Sequence, residues 1–183
     1  MESLFINDHL FLEKISFTHV GLIFNAIDQN RNFLRKWLPF VDFTHEEADT
    51  EQFVRSILEK PPYQRDDVYV IWYKYEFAGL IGFKDADRVN DKIEIGYWLI
   101  EKMTGKGIVT AATSKMLAIA FRDLNMNRIQ IRCGVGNTKS SAIPRRLGFT
   151  YEGTERCGER HNNSYIDLEV FSILKKEWAE SDF

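Results

Sequence analysis

Cysteine is scarce: Cys133 and Cys157 are the only thiols in 183 residues. They form no C-x-x-C pair and no metal-ligand spacing, which excludes a zinc-ribbon or disulfide-stapled scaffold and predicts a reducing, cytoplasmic setting. A basic excess is also missing. Twenty-four Lys and Arg against 27 Asp and Glu leave a formal charge of −3, which argues against a protein dedicated to direct nucleic-acid binding. Long apolar runs are absent. The longest, Met116–Phe121, is far too short to cross a bilayer, and Met1-Glu2-Ser3-Leu4-Phe5 has neither the basic start nor the apolar stretch of a secretory signal. There is no internal repeat and no low-complexity tract. The expectation is a soluble protein with no metal and no membrane partner.

What the chain does contain is ordinary for a globular protein: 44% hydrophobic and 28% charged residues, with a rich aromatic share of 14%. The length predicts a single domain over residues 1–183, large enough for a core of its own. Phe11–Ile15 alternates as a first strand, and Thr18 reads as a cap for a helix carrying Val20, Ile23 and Ile27. A second helical piece with Phe33, Leu34, Trp37 and Leu38 ends at Pro39. Thr44 to Glu47 has the form of a capping box ahead of Phe53, Val54, Ile57 and Leu58. After Pro61-Pro62, strands are predicted at Val68–Tyr73, Leu80–Phe83 and Ile93–Ile100, then a helix over Ile108–Leu124 and a strand over Arg128–Cys133. A short helix within Lys139–Leu147 must accommodate Pro144. Two late strands follow, near Thr150–Arg156 and Tyr165–Lys175, joined through His161-Asn162-Asn163. Helices, a meander and then strand–helix–strand units make an α+β, or mixed α/β, domain.

Gly105-Lys106-Gly107 is the most informative short segment. A strand that turns through two glycines into a helix start leaves backbone N–H groups pointing one way, with the helix's positive end behind them. Such a turn is prepared for an anion, most often phosphate. It is neither a Walker loop, since no Ser or Thr follows Gly105-Lys106, nor a dinucleotide fingerprint. Asn137-Thr138-Lys139-Ser140 opens the next helix in the same way, and its Asn and Ser read equally as simple caps. Two neighbouring strands that each end in a helix start would place a ligand at their carboxyl ends.

Taken together, several segments resemble the acetyl-CoA motifs of the GNAT N-acetyltransferase superfamily, in its RimL-like branch, which acetylates the N-termini of ribosomal proteins. They are Glu94-Ile95-Gly96-Tyr97-Trp98-Leu99, Gly105-Lys106-Gly107-Ile108-Val109-Thr110, Asn137-x-x-Ser140, Arg146-Leu147-Gly148-Phe149 and Glu152-Gly153. Arg35-Lys36-Trp37-Leu38-Pro39-Phe40 resembles that branch's helix-ending W-L-P-aromatic segment, and Tyr165–Phe171 with Glu177-Trp178 resembles its closing strand and tail. The resemblance implies a central, mostly antiparallel sheet of about seven strands flanked by helices, and coenzyme A as cofactor. It makes Gly105, Lys106, Gly107, Ile108, Val109 and Thr110 the pyrophosphate cradle. Trp98, Leu99 and Ile100 would pair by backbone with the pantetheine arm, and Asn137 would hold its amides. Two positions depart from the pattern: Thr104 stands where Gln or Arg is usual, and Val109 where Gly or Ala is usual.

Acetyl transfer needs a neutral amine, a polarised thioester carbonyl and a proton for the leaving thiolate. An α-amine with a reference pKa near ~7.8 is already partly neutral at pH 7, whereas a lysine near ~10.4 needs stronger help. By resemblance, Glu101 aligns with the general base and Ser140 with the proton donor; Ser140 would also line the cofactor site. Glu94 is the rival base. It lies seven residues earlier on a strand that would face it the other way, roughly 20 Å off at ~3.3 Å per residue. Tyr151 and Tyr165 are reserve proton donors. Arg145-Arg146 is either a contact for the coenzyme's 3′-phosphate or a solvated helix face, and His161 reads as a hairpin residue. Trp37 and Phe40 either wall the acceptor site or pack in the core. The acceptor is a protein N-terminus, a ribosomal one by resemblance. A polyamine, an antibiotic or another small amine is the alternative, as is a non-catalytic coenzyme-A-binding module. The late strands also offer edges through which two copies could pair.

Overall fold

The structure is a computed structural model and describes residues 3–61 and 67–180. Among the described residues, eight strands form one sheet: β1 (Ser3–Asn7), β2 (Leu10–Lys14), β3 (Val68–Tyr73), β4 (Glu76–Asp87), β5 (Lys92–Leu99), β6 (Arg128–Gly134), β7 (Thr150–His161) and β8 (Ser164–Leu174). Their order is β1-β2-β3-β4-β5-β6-β8-β7. The β5–β6 pair is parallel, while β1–β2, β2–β3, β3–β4, β6–β8 and β7–β8 are antiparallel. Six α-helices accompany the strands among the described residues: α1 (Val20–Gln29), α2 (Arg31–Leu34), α3 (Glu47–Leu58), α4 (Ile108–Ala118), α5 (Thr138–Arg146) and α6 (Lys175–Glu180). The α+β class holds, with eight strands where about seven were expected. The extra one is β1, an edge strand whose Phe5 is 72% exposed, so its sequence shows no buried alternation to read.

The chain falls into two compact units, Met1–Gly82 with Tyr97–Ala112, and Phe83–Gly96 with Thr113–Phe183. The core of the first includes Leu12, Ile23, Val54, Val70, Ile71 and Ile81, all essentially inaccessible to solvent. That of the second includes Met116, Phe121, Ile129, Ile131, Phe171 and Ile173. Strand alternation supplies these residues: Ile129, Ile131 and Cys133 are buried while Arg128, Gln130 and Arg132 share the other, more open face of β6.

Several local expectations shift. Ser16, not Thr18, precedes the first helical turn, and its N–H donates to His19 Nδ1 at 3.1 Å. The capping box lies two residues later than Thr44–Glu47: α3 is capped at Glu46, whose N–H donates to Asp49 Oδ2 at 3.0 Å, while the Thr44 hydroxyl donates back to the Phe40 carbonyl. Pro39 does not end a helix but opens a 3₁₀ turn over Pro39–Phe43, and α2 stops earlier, at Leu34. The helix read as Ile108–Leu124 is α for its first part and widens to a π turn over Ile119–Asp123. Pro144 lies inside α5.

Within the second unit, β6 is laddered along its whole length to β8, from Arg128↔Leu174 to Gly134↔Leu168. Toward β5 the ladder has three pairs only: Lys92↔Arg128, Ile93↔Ile129 and Glu94↔Gln130. Both strands continue, but among the described residues no ladder pair joins them beyond Glu94.

Candidate active site

In the first unit, the end of β5 is fixed from several sides. Ile100 N–H donates to the Ala78 carbonyl at 2.9 Å. Next to it, Gly79 lets β4 approach so closely that a Cβ there would lie 2.0 Å from the Trp98 carbonyl oxygen. A 3₁₀ turn, Glu101–Met103, follows. Asn30, just past the end of α1, donates through its amide to Ala26 O and accepts the Glu101 N–H at 3.1 Å. The Glu101 carbonyl accepts the Thr104 N–H at 3.1 Å and the Thr104 hydroxyl at 2.9 Å. Glu101 is thus anchored by its peptide groups, and its carboxylate is exposed. The Thr104 departure has a structural use: its hydroxyl closes the turn ahead of the glycines.

Gly105 and Gly107 have φ of +76° and +74°, conformations that favour glycine, and a Cβ at either would meet nothing within 4 Å. The backbone of the turn is therefore open to an approaching group. α4 starts immediately behind it, so the positive end of that helix backs the turn. This geometry fits a pyrophosphate. Ile108 and Val109 are buried, so the extra bulk of Val109 points into the core and away from the open side of the turn. Lys106 is exposed, with Nζ 5.8 Å from the centre of the Tyr73 ring. A cavity of about 290 Å³ lies between the β1–β2 turn at Asp8 and His9 and the Lys106–Ile108 segment. Trp98 stacks obliquely with Phe77 at 5.9 Å and with Phe40 at 6.4 Å, and Phe40 is 39% exposed. Trp37 is half-buried. The structure thus gathers Trp98, Leu99, Ile100, Glu101, the glycine turn and Phe40 in the first unit.

Asn137 and Ser140 belong to the second unit. Asn137 caps α5: its Oδ1 accepts the Ser140 N–H at 3.2 Å and its carbonyl accepts the Ser141 N–H. The Ser140 side chain hydrogen-bonds to Cys133. Burial, aided by Glu169, pushes the Cys133 thiol up to about 11, against the opposing effects of Ser140 and Arg145. Arg145 is committed elsewhere: it pairs with Glu169 at 2.9 Å and lies 4.8 Å over the Phe171 ring. Tyr151 shares a hydrogen bond with Thr154 Oγ1, and Tyr165 is 63% exposed.

Glu94 is 3% exposed, and its oxygens face Arg132 and Lys84 at 2.6 and 2.9 Å. An occupied, enclosed carboxylate of this kind is poorly placed to take a proton from a substrate. Glu159 differs, and the sequence reading missed it. Burial pushes its pKa above the ordinary carboxylate range, against the pull of Lys84, His161 and Arg132 and with added repulsion from Glu94. It lies on β7 just past an irregularity between Glu155 and Glu159, where Cys157 has φ +53°. The expected strand ended at Arg156, so Glu159 was not considered as part of a sheet face. Among the described residues, no cluster of three or more His, Cys, Asp or Glu could hold a metal.

Residues 9–150 match the family model described as an acetyltransferase (GNAT) domain. The Bacillus subtilis (strain 168) protein YdaF, whose name assigns it provisionally to ribosomal N-acetylation, is 37% identical over 94% of this chain and 95% of its own length. A solved structure of RimL, a ribosomal L7/L12 α-N-protein acetyltransferase in complex with coenzyme A, superposes with a TM-score of 0.89 at 25% identity, covering 94% of this chain and 98% of that one. The microcin C7 self-immunity acetyltransferase MccE, solved with acetyl-CoA and AMP, superposes with a TM-score of 0.86 at 30% identity, covering 92% and 94%.

Proposed function

Since the chain belongs to the GNAT acetyltransferase family, we propose that it transfers acetyl to the N-terminal α-amine of a protein, a ribosomal protein being the favoured acceptor. It is an N-acetyltransferase with acetyl-CoA as donor. The observation that carries the coenzyme reading is the glycine turn, open at both Cα positions and backed by the start of α4. The acceptor reading comes from relatives similar over almost the whole chain, whose names specify ribosomal or α-N-protein acetylation. We read residues 1–183 as a single acetyltransferase domain acting in the cytoplasm; strands β4 and β5 each contribute to both compact units.

Bound acetyl-CoA supplies an activated thioester acetyl group. The chain's own part is to hold the pyrophosphate on the amides of Gly105 to Thr110, pair with the amide-bearing arm along Trp98–Ile100, and manage two protons. Ser140 Oγ holds the proton for the leaving-group side. For the base, Glu101 is the residue that the motif resemblance favours, and its fixed backbone gives it a defined origin. A second reading takes Glu159 as the base: it is a carboxylate whose pKa burial raises above the ordinary carboxylate range. Coenzyme-thiol release tests the acceptor class. A peptide with a free N-terminus should release thiol, and spermidine or an aminoglycoside should not. Release with small amines alone would overturn the proposal, and coenzyme binding without release on any acceptor would favour a non-catalytic module.

A further inference from the structure

Arg31 opens α2, and its guanidinium is committed to a segment further along the chain. Nη1 donates to the Val41 carbonyl at 2.9 Å and Nη2 to the Thr44 carbonyl at 2.6 Å, while Nε donates to Asp28 Oδ1 at 2.7 Å. Val41 is fully buried, so its carbonyl needs a donor from inside the protein. Arg35, one helical turn beyond Arg31, pairs with Asp42 of the same segment. The Thr44 hydroxyl closes the segment on itself by donating to the Phe40 carbonyl at 2.9 Å. The 3₁₀ turn Pro39–Phe43 is short and begins with a residue that has no N–H to give. Its shape therefore leans on these side-chain bonds. The ring of Phe40 meets Trp98 at 6.4 Å, and Trp98 stands shortly before Glu101, whose N–H is accepted by Asn30, the neighbour of Arg31. The contacts thus close a circuit: Arg31 to residues 41 and 44, along the chain to Phe40, across to Trp98, along the chain to Glu101, and back to Asn30. Every member lies in the first compact unit.

We propose that Arg31 is a positioning residue for the acceptor: it holds residues 39–44 so that Phe40 stands as a fixed wall beside Trp98. The proposal rests on the reading of Phe40 as part of the acceptor site. A guanidinium presents its donors in a rigid planar fork, whereas a lysine ammonium is a single point that cannot serve Asp28 and both carbonyls together. Arg31→Lys therefore keeps the charge and loses the fork. The segment it releases carries the acceptor wall and none of the glycine turn, so acceptor use and coenzyme binding should separate.

The test is a double-mutant cycle of Arg31→Lys and Phe40→Ala. It is read with a peptide that has a free N-terminus, or with spermidine if that alone releases coenzyme thiol in the parent. Arg31→Lys should raise the acceptor KM about tenfold, with kcat within a few-fold and the Kd for coenzyme A, by calorimetry, within about twofold. Phe40→Ala should also raise the acceptor KM, and adding Arg31→Lys to it should raise KM no further, because the arginine acts through that ring. Thr44→Val, which removes the hydroxyl bond to the Phe40 carbonyl, should show a smaller rise of the same kind and serves if Arg31→Lys does not fold. An unchanged acceptor KM in folded Arg31→Lys, an equal loss of coenzyme affinity, or effects of the two substitutions that simply multiply would each overturn the proposal while leaving Phe40 in the acceptor site. An unchanged acceptor KM in Phe40→Ala, or thiol release with neither acceptor, removes the acceptor reading itself and the proposal with it.

Discussion

Glu101 and Glu159 receive opposite treatment from the fold. Glu101 has its peptide clamped by Asn30 and Thr104 while its carboxylate meets solvent. Glu159 is half-buried and its pKa is raised, with burial as the main cause. A raised carboxylate pKa means that the native state holds the proton to higher pH than the unfolded chain does. Its contribution to stability is complete below the ordinary carboxylate range and is lost as pH rises through the raised value. A base role runs the other way, because the ionised form is the working one. If Glu159 is the base, kcat/KM rises with pH along a limb above the ordinary carboxylate range, and Glu159→Gln removes that limb with a rate loss of about 10²–10⁴. If Glu101 is the base, Glu101→Gln carries that loss and Glu159→Gln leaves turnover within a few-fold. Ser140→Ala should lower kcat well beyond its effect on coenzyme binding, and near-parent turnover would remove Ser140 from the chemistry. The cysteines give a control on local environment. With its thiol pushed up to about 11, buried Cys133 should resist iodoacetamide at pH 8, and exposed Cys157 should be the first site labelled in mass spectrometry. Ser140 and the two glycines stand out in the sequence because each lies in a short motif at a helix start. Glu159 was not, since its environment is made by Lys84, Glu94 and Arg132, residues that only the sheet brings to it.

At the level of elements, strands with buried alternation were readable in full, and those without it in part or not at all. β3 and β6 are rich in β-branched and aromatic residues and appear where expected, whereas β1 is an exposed edge and β7 runs past its irregularity to His161. Caps moved by one or two residues because acidic and hydroxyl side chains compete for the same amides, as Glu46 and Asp49 do at α3. Two glycines separate the roles of sterics and strain. Gly79→Ala places a Cβ 2.0 Å from the Trp98 carbonyl oxygen, so β4 and β5 must part; a large loss of melting temperature or failure to fold is expected. Gly107→Ala meets no neighbour and bears only the cost of a positive φ, about 1 kcal/mol. It should fold with a slightly lower melting temperature and bind coenzyme A more weakly by calorimetry, since the amides of the turn are displaced. Unchanged affinity would move the pyrophosphate off this turn.

For the whole molecule, the order of motifs was legible and the acceptor was not. The coenzyme motifs are short and local, and residues 9–150 match the acetyltransferase family as a unit. An acceptor site is assembled from side chains in distant segments; the sequence offered Trp37 and Phe40 as candidates, with core packing as their alternative. Among the described residues, no helix is long and apolar enough to cross a membrane. The difference between an α-amine and a lysine is chemical as well as steric: an α-amine near ~7.8 is partly neutral at pH 7 and a lysine near ~10.4 is not. The most direct measurement follows from that difference. A peptide with a free N-terminus and an internal lysine is incubated with the protein and acetyl-CoA, and the acetyl group is located by tandem mass spectrometry. N-terminal acetyltransfer predicts the label on the α-amine alone, with no product when that amine is blocked. Label on the lysine, or turnover only when a small amine replaces the peptide, would contradict it.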